Sequence, residues 1–189
     1  MVRGRDKFQK YKRVINTISA IIGFLPKSFR VKYYSHLRNT NGSLGLVLRY
    51  ATLKTLAKKM GDNVSIHPGV FIFNPEELVI GSNVSIHPMC YLECYGGLTI
   101  GDNVSIAHAT TILTVNHFYE DPTLPINDQG VEKRPTKICD NVWIGAKVTV
   151  LGGVMVNSVV VIAAGAVVTK NVETNTVVAG VPATIIRRR

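Results

Sequence analysis

The chain has 189 residues, 46% of them hydrophobic and 18% charged, a composition that supports a buried core and excludes a disordered tail. The apolar part of its start, residues 14–25, is too short and too often interrupted by polar residues to span a bilayer, and no small-residue cleavage site follows it. We therefore expect neither a transmembrane helix nor a secretory signal. Cys90, Cys94 and Cys139 form no CxxC pair, which indicates buried thiols in a reducing, cytoplasmic compartment rather than disulfides or a zinc site.

The formal net charge of +10 is distributed unevenly along the chain. Residues 1–59 contain 14 Lys or Arg and a single acidic residue, Asp6, whereas residues 60–189 contain 8 basic and 11 acidic residues. This asymmetry predicts two units, a basic helical N-terminal region over residues 1–59 and a second domain over residues 60–189.

Within the basic region, apolar residues recur at helical spacing over residues 6–22, and a second helix is predicted over residues 44–59. Basic residues beside apolar ones are typical of a helix that lies on an anionic membrane surface, which would involve residues 1–32. The same pattern also fits a helix that packs on the rest of the protein. A nucleic-acid partner is not expected, because the region has neither interleaved aromatic residues nor a known binding module.

The second domain contains an internal repeat. The segment GDNVSIHP at residues 61–68 recurs as GSNVSIHP at 81–88, and GDNVSI follows at 101–106. Large aliphatic residues also recur every six residues as far as about residue 172. A period of six fits neither a helix nor a plain alternating strand, but it suits short strands joined by turns, three of which close a triangular coil. The repeat thus predicts a mainly β protein, a parallel β-helix solenoid; an ordinary β-sandwich would not keep this register.

One inserted loop interrupts the repeat over residues 115–137, which are polar and rich in turn-forming residues. The open ends of a solenoid expose unpaired strand edges, so each end needs a cover. We expect the second helix to cover the first coil and residues 173–189 to form a C-terminal cap.

His117 lies at the root of the inserted loop, where a rigid scaffold can present a catalytic group. Histidine is the side chain whose ordinary pKa is nearest to neutrality, so an imidazole can accept the proton of an attacking hydroxyl. His67 and His87 instead occupy equivalent positions of successive repeats, which indicates stacked corner residues rather than metal ligands. No metal site is predicted.

The repeat, together with DNVWIGA at residues 140–146, GAVVTK at 165–170 and AGVPA at 179–183, resembles the hexapeptide-repeat acyltransferases. The likeness is strongest to the branch that contains galactoside, maltose and polysaccharide O-acetyltransferases. This resemblance implies a left-handed β-helix, a homotrimer and acetyl-CoA as the acyl-donor substrate. It also implies acetyl transfer to a hydroxyl of a sugar or of a cell-surface polysaccharide precursor, with His117 as the general base.

The resemblance further implies which residues contact acetyl-CoA in a groove between neighbouring solenoids. Backbone groups would hold the pantetheine arm, and basic side chains would lie near the nucleotide and its phosphates. The implied residues are Trp143, Gly145, Ala146, Ala164, Thr169, Lys170 and Arg187.

The chain departs from this branch at one position. Where those enzymes have an asparagine one repeat before the histidine, this chain has Met89. Met89, Glu93 and Tyr119 are candidate acceptor-binding residues, and Glu93 or Tyr119 could bind an acceptor hydroxyl or hold an imidazolium. Each of the two is alternatively a surface residue without a role in catalysis.

Two other functions are compatible with the same repeat. One is N-acetylation of an amino-sugar or a xenobiotic. The other is a non-catalytic or γ-carbonic-anhydrase-like hexapeptide protein, which as a metal enzyme would require three histidines converging at an interface. The predicted location is cytoplasmic, and a peripheral position at the inner face of the membrane follows if residues 1–32 bind lipid.

Overall fold

A computed structural model describes residues 4–189; residues 1–3 of the basic region predicted to contact a membrane lie outside the described residues. The chain begins with three helices, α1 (Gly4–Gly23), α2 (Lys27–Leu37) and α3 (Gly42–Lys54). No helix within residues 4–189 is both long and apolar enough to cross a bilayer.

The helical region differs in two ways from the prediction. The helix α2 was not predicted, and the helix predicted over residues 44–59 ends at Lys54. Its last predicted residue, Lys59, instead forms the first strand of the solenoid together with Met60, because their backbone pairs in parallel with Val79 and Ile80. A strand edge that offers hydrogen bonds therefore overrides local helical spacing here.

The remainder consists of short strands, listed here with their bounds. They are β1 (Lys59–Met60), β2 (Ser65–Ile66), β3 (Phe71–Phe73), β4 (Leu78–Ile80), β5 (Ser85–Ile86), β6 (Tyr91–Glu93), β7 (Leu98–Ile100), β8 (Ser105–Ile106), β9 (Thr111–Ile112), β10 (Val115–His117), β11 (Val131–Lys133), β12 (Thr136–Ile138), β13 (Trp143–Ile144), β14 (Thr149–Val150), β15 (Met155–Val156), β16 (Val161–Ile162), β17 (Val167–Val168), β18 (Thr176–Ala179) and β19 (Thr184–Arg188).

These strands stack in three parallel sheets, which are the faces of a β-helix. Face A contains β1, β4, β7, β12 and β15; face B contains β2, β5, β8, β13, β16 and β18; face C contains β3, β6, β9, β14 and β17. We name the edges where the chain turns between faces the AB, BC and CA corners. The parallel β-helix predicted from the six-residue period is confirmed.

The interior of the solenoid is filled by aliphatic side chains at the predicted period. On face B, for example, Ile66, Ile86, Ile106, Ile144 and Ile162 are all fully buried in successive coils. Stacking equivalent residues buries a continuous core that no single coil could form alone.

The AB corner shows why the repeat uses asparagine. Asn63, Asn83 and Asn103 have positive φ angles of 54°, 58° and 56°, a backbone conformation that asparagine tolerates better than most residues. Their amides also form a ladder, since Asn63 Nδ2 donates to Asn83 Oδ1 at 3.0 Å and Asn83 Nδ2 donates to Asn103 Oδ1 at 3.2 Å. The turn residues thus hold successive coils in register.

Both ends of the solenoid are covered. At the first coil, the buried Arg49 of α3 donates hydrogen bonds to the carbonyl oxygens of Ile66 at 2.8 Å, Leu37 at 3.0 Å and Thr40 at 2.6 Å. At the other end, β19 turns back and pairs antiparallel with β18 at the edge of face B. The hydrogen bond to Ile66 and the pairing of β18 with β19 satisfy backbone groups at the two ends of face B, and the other two Arg49 hydrogen bonds hold the end of α2 against α3.

Candidate active site

The inserted loop forms an arm that leaves the solenoid at the CA corner of the third coil. Its stalk is the antiparallel pair β10 and β11, in which His117 lies opposite Val131. His117 is the last residue of β10 and its side chain is exposed. The stalk therefore presents the imidazole outside the solenoid, on ordered backbone rather than in an irregular loop.

The tip of the arm is held together by its own polar groups. Gln129 Nε2 donates to the carbonyl oxygens of Asp121 at 2.8 Å and Leu124 at 3.0 Å, and the Asp121 carboxylate accepts the backbone N–H of Thr123 at 2.8 Å. The hydrogen bonds from Thr123 lower the pKa of Asp121. The candidate acceptor residue Tyr119 lies in this tip, two residues after His117, and is exposed.

The root of the arm is fastened by Glu93 and Thr114. Glu93 Oε2 accepts hydrogen bonds from the backbone N–H and the hydroxyl of Thr114 at 3.0 Å and 2.6 Å, while Glu93 Oε1 accepts the N–H of Tyr95 at 2.6 Å. Thr114 is buried and its hydroxyl also accepts the N–H of Gly96 at 2.9 Å. Sequence reasoning did not find this role of Thr114.

The returning strand is fastened in the same way. The N–H of Arg134 donates to the carbonyl oxygen of Thr114 at 2.7 Å, and the hydroxyl of the buried Thr136 donates to that of Leu113 at 2.7 Å. Lys133 Nζ lies 4.1 Å from the centroid of the Tyr95 ring. The only sequence signal for this arrangement is that two buried positions at the start and end of the insertion are threonine instead of an aliphatic residue.

Two of the residues predicted to contact acetyl-CoA lie on the same corner as the arm. Thr169 and Lys170 follow β17 at the CA corner and are exposed. Lys170 occupies the position that Thr114 holds two coils earlier, so the two backbones lie about 10 Å apart at the usual strand spacing. His117 and Lys170 are therefore presented along one edge of a single protomer.

The other predicted acetyl-CoA residues of the solenoid lie at or next to the BC corner. Trp143 is an exposed residue of β13, and Ala146 and Ala164 are stacked in successive coils, with the carbonyl oxygen of Ala146 accepting the N–H of Gly165 at 2.8 Å. Gly145 must be glycine, because a Cβ there would lie 2.6 Å from the backbone nitrogen of Ala164. This corner thus has small residues, of which Ala164 is exposed and Ala146 is half-buried.

Met89 also belongs to the BC corner. It takes the left-handed backbone conformation, φ 62°, and its side chain is 62% exposed. The edge with Met89, Ala146 and Ala164 is separated from the edge with the arm by the width of face C, roughly 16 Å for the five residue steps from Ala146 to Leu151. One protomer therefore does not bring the two groups together.

Arg187, predicted near the cofactor phosphates, lies on β19 opposite Val177 and is exposed. Its Nη1 donates to the carbonyl oxygen of Arg188 at 3.3 Å. The segment before it, Gly180 to Ala183, hydrogen-bonds both backbone groups of Val167 on face C, with Ala183 N–H donating to Val167 O at 2.8 Å. Arg187 is thus presented at the C-terminal end of the solenoid, the end at which Lys170 lies.

Two of the other thiols, Cys90 and Cys94, and two of the other imidazoles, His67 and His87, have packing contacts. Burial raises the pKa of the Cys90 and Cys94 thiols, so neither is disposed to act as a nucleophile. The rings of His67 and His87 stack with centroids 5.0 Å apart, and burial, followed by His87 and Arg49, lowers the pKa of His67. Among the described residues, no three His, Cys, Asp or Glu side chains form a group that could hold a metal ion.

Comparison with known proteins agrees with this architecture. Residues 135–170 match the family model described as bacterial transferase hexapeptide (six repeats). The structure is similar to that of a maltose O-acetyltransferase from Clostridium difficile 630, with a TM-score of 0.74 and 29% identity over 86% of this chain and 85% of that chain. It is also similar to a galactoside acetyltransferase in complex with coenzyme A, with a TM-score of 0.69 and 27% identity over 86% and 80% of the two chains.

A relative identified by sequence is also described as an O-acetyl transferase. A putative lipopolysaccharide biosynthesis O-acetyl transferase of Escherichia coli (strain K12) is 40% identical over 67 residues, which are 35% of this chain and 34% of that protein. In that protein and three other curated relatives, the matched segment covers 26% to 34% of the relative's length. The six-residue repeat, the β-helix with its arm and these likenesses together define a hexapeptide-repeat protein. The chain is similar to the hexapeptide-repeat acetyltransferases, the resemblance that the sequence predicted.

Proposed function

We propose that the protein transfers an acetyl group from acetyl-CoA to a hydroxyl of a sugar or cell-surface polysaccharide precursor, with His117 as the general base. The observation that carries this proposal is the exposed imidazole of His117 on an arm whose root is fixed by Glu93 and Thr114. Its support is the likeness to the maltose and galactoside enzymes, the second of which was solved with coenzyme A.

The proposed chemistry needs one proton carrier and no covalent enzyme intermediate. A ring nitrogen of His117 takes the proton of the acceptor hydroxyl while the oxygen attacks the thioester carbonyl carbon, and a carbon–oxygen bond forms. When the tetrahedral adduct collapses, the carbon–sulfur bond breaks and the imidazolium returns its proton to the leaving thiolate. The products are the acetyl ester and free CoA, and His117 is neutral again.

We further propose that the site is completed between protomers of a homotrimer. The arm edge carries His117, Thr169 and Lys170, whereas the BC corner carries Ala146 and Ala164 across face C. A neighbouring copy that brought its BC corner against the arm edge would form a groove with the imidazole at one end. Lys170 and Arg187 would then face the nucleotide phosphates, to which both side chains are suited.

The test is release of free CoA from acetyl-CoA with a panel of acceptors, namely nucleotide sugars, lipid-linked oligosaccharides, simple glycosides and amino-sugars. We expect His117→Ala to lower kcat by at least about a hundredfold, the usual contribution of a positioned base. His36→Ala, an exposed histidine of α2, is the matched control and should keep wild-type activity.

Equal CoA release by the wild type and His117→Ala with every acceptor would disprove the role of His117. If only amino-sugars were acetylated, and on nitrogen, the reaction would be N-acetyl transfer and the proposed acceptor group would be wrong.

A further inference from the structure

The helix α1 has two neighbouring apolar stripes, and only one of them is used by the fold. Phe8, Ile15 and Ile22 point toward the protein; Ile15 and Ile22 are buried, and the ring of Phe8 packs edge-on against Tyr50 of α3 with centroids 5.3 Å apart. This stripe therefore packs on the rest of the protein, which is one of the two arrangements that the sequence predicts for the basic helix; the other is contact with a membrane. The stripe is not available to lipid.

The second stripe faces outward. It consists of Tyr11, Val14 and Ile21, all exposed, and it continues into the turn after α1. There Phe24 is 90% exposed, and Leu25 beside it is also exposed. We name Tyr11, Val14, Ile21, Phe24 and Leu25 the outer α1 surface. A contiguous apolar surface of this kind, unlike scattered single residues, indicates an interaction site.

Some cations of the helical region pair with carboxylates of the solenoid, and others lie beside the outward-facing stripe of α1. Lys12 contacts Asp62 at 2.6 Å and Lys27 contacts Glu76 at 3.3 Å, so these two are paired against the solenoid. Lys7 and Lys10 are exposed, and at 3.6 residues per turn both fall within about 60° of the centre of the outer stripe. Asp6 is the only acidic residue in the first 59.

We propose that the outer α1 surface docks on an anionic lipid bilayer, with α1 lying along the interface and Phe24 and Leu25 entering the acyl region. This partner matches both features, because it offers negative headgroups to Lys7 and Lys10 and an apolar layer to the exposed side chains. A second copy of the chain would bring the same positive charges together. A nucleic acid would leave Phe24 and Leu25 without an apolar contact.

Lipid binding by the outer α1 surface is independent of the proposed acetyl transfer. The assay is flotation of the full-length protein with vesicles and needs neither acetyl-CoA nor an acceptor. Failure of lipid binding would thus not contradict the transferase proposal. Failure of acetyl transfer would likewise not contradict lipid binding. A bilayer location would bring the enzyme to acceptors that are carried on a lipid.

Binding should be measured to phosphatidylcholine vesicles with and without about a third phosphatidylglycerol, at low and high salt. We expect binding to the anionic vesicles, weakened on the order of fivefold by each of Lys7→Gln and Lys10→Gln. The triple variant Ile21→Ser, Phe24→Ser, Leu25→Ser should bind at least about tenfold more weakly. Leu44→Ser and Lys58→Gln, which change exposed residues of the same region outside the outer α1 surface, should bind like the wild type.

Unchanged vesicle binding by the triple serine variant would overturn the proposal, as would equal binding to neutral and anionic vesicles. Sedimentation velocity tests whether a second copy of the chain, instead of lipid, covers the outer α1 surface. If the triple variant changed the oligomeric state, the surface would be an interface between copies. If the protein bound a soluble polyanion such as heparin but no vesicles, the basic region would serve a polyanion instead.

Discussion

At the scale of single residues, the Glu93 carboxylate joins the segment around Tyr95 to Thr114 at the root of the arm. As a candidate acceptor ligand Glu93 would need a free carboxylate, yet both of its oxygens accept hydrogen bonds within the protein, from Tyr95 and twice from Thr114. Hydrogen bonds to an ionised group are about twice as strong as neutral ones. We therefore predict that Glu93 acts by positioning the arm; its role as an acceptor ligand remains the competing prediction.

Replacing Glu93 by glutamine separates these two roles. The amide keeps the shape but places a donor against the N–H groups of Tyr95 or Thr114, so the root of the arm should loosen. We expect kcat to fall about tenfold or more with little change in the KM for the acceptor, and the arm to be cleaved faster by protease. Glu77→Gln, one coil earlier, is the control. A raised acceptor KM with unchanged kcat and unchanged proteolysis would make Glu93 an acceptor ligand instead.

The sequence could single out His117 but not the residues that hold it. His117 interrupts a regular repeat at the start of an insertion, which is visible in one dimension. Glu93 and Thr114 are 21 residues apart, and their contact exists only because successive coils stack at the CA corner. Such a contact follows from the fold and not from local pattern, which is why Thr114 was missed.

At the scale of elements, the fixed root of the arm depends on the close approach of two chain segments. Gly96 lies so near to Thr114 that a Cβ at position 96 would overlap the carbonyl oxygen of Thr114. Because that oxygen also accepts the N–H of Arg134, a shift there would disturb both strands of the stalk. Glycine is thus required by space at this position.

We predict that Gly96→Ala lowers the free energy of unfolding by about 1–3 kcal/mol, the usual cost of overpacking, and lowers acetyl transfer as well. Urea unfolding and the CoA-release assay measure the two effects. Gly23→Ala is the control, because its Cβ would only meet Thr55 Cγ2 at 3.8 Å, an ordinary contact. If Gly96→Ala unfolded like the wild type and retained full activity, the root would be more adaptable than these contacts imply.

The solenoid and the helix α2 differ in how well their sequence patterns predict them. The solenoid was predictable because each coil repeats the same buried positions, as Ile66, Ile86 and Ile106 do. The helix α2 has no comparable signal, since Phe29 and Val31 are exposed while Tyr34 and Leu37 are buried, so its apolar residues do not form one stripe. Its position depends on contacts such as the hydrogen bond from Arg30 to the carbonyl oxygen of Thr55.

At the scale of the whole molecule, the candidate site lies on two edges of one protomer. His117 and Lys170 belong to the CA corner, whereas Ala146 and Ala164 belong to the BC corner on the other side of face C. In a cyclic trimer each copy presents one edge to a different edge of the next copy, so a trimer that packed the CA corner against the BC corner would repeat the same site three times. The proposed oligomer and the proposed chemistry are therefore linked.

Mixed trimers test that link directly. His117→Ala removes the base from one edge, and Ala164→Trp places a large side chain at an exposed position of the other edge, so each variant alone should be inactive. If the two edges come from different copies, co-expression in equal amounts should restore about a quarter of wild-type CoA release, because about a quarter of the interfaces pair two unaltered edges. If one protomer supplied both edges of a site, no mixture would be active. Sedimentation velocity on the purified mixture, with a different tag on each variant, checks that trimers of both chains have formed.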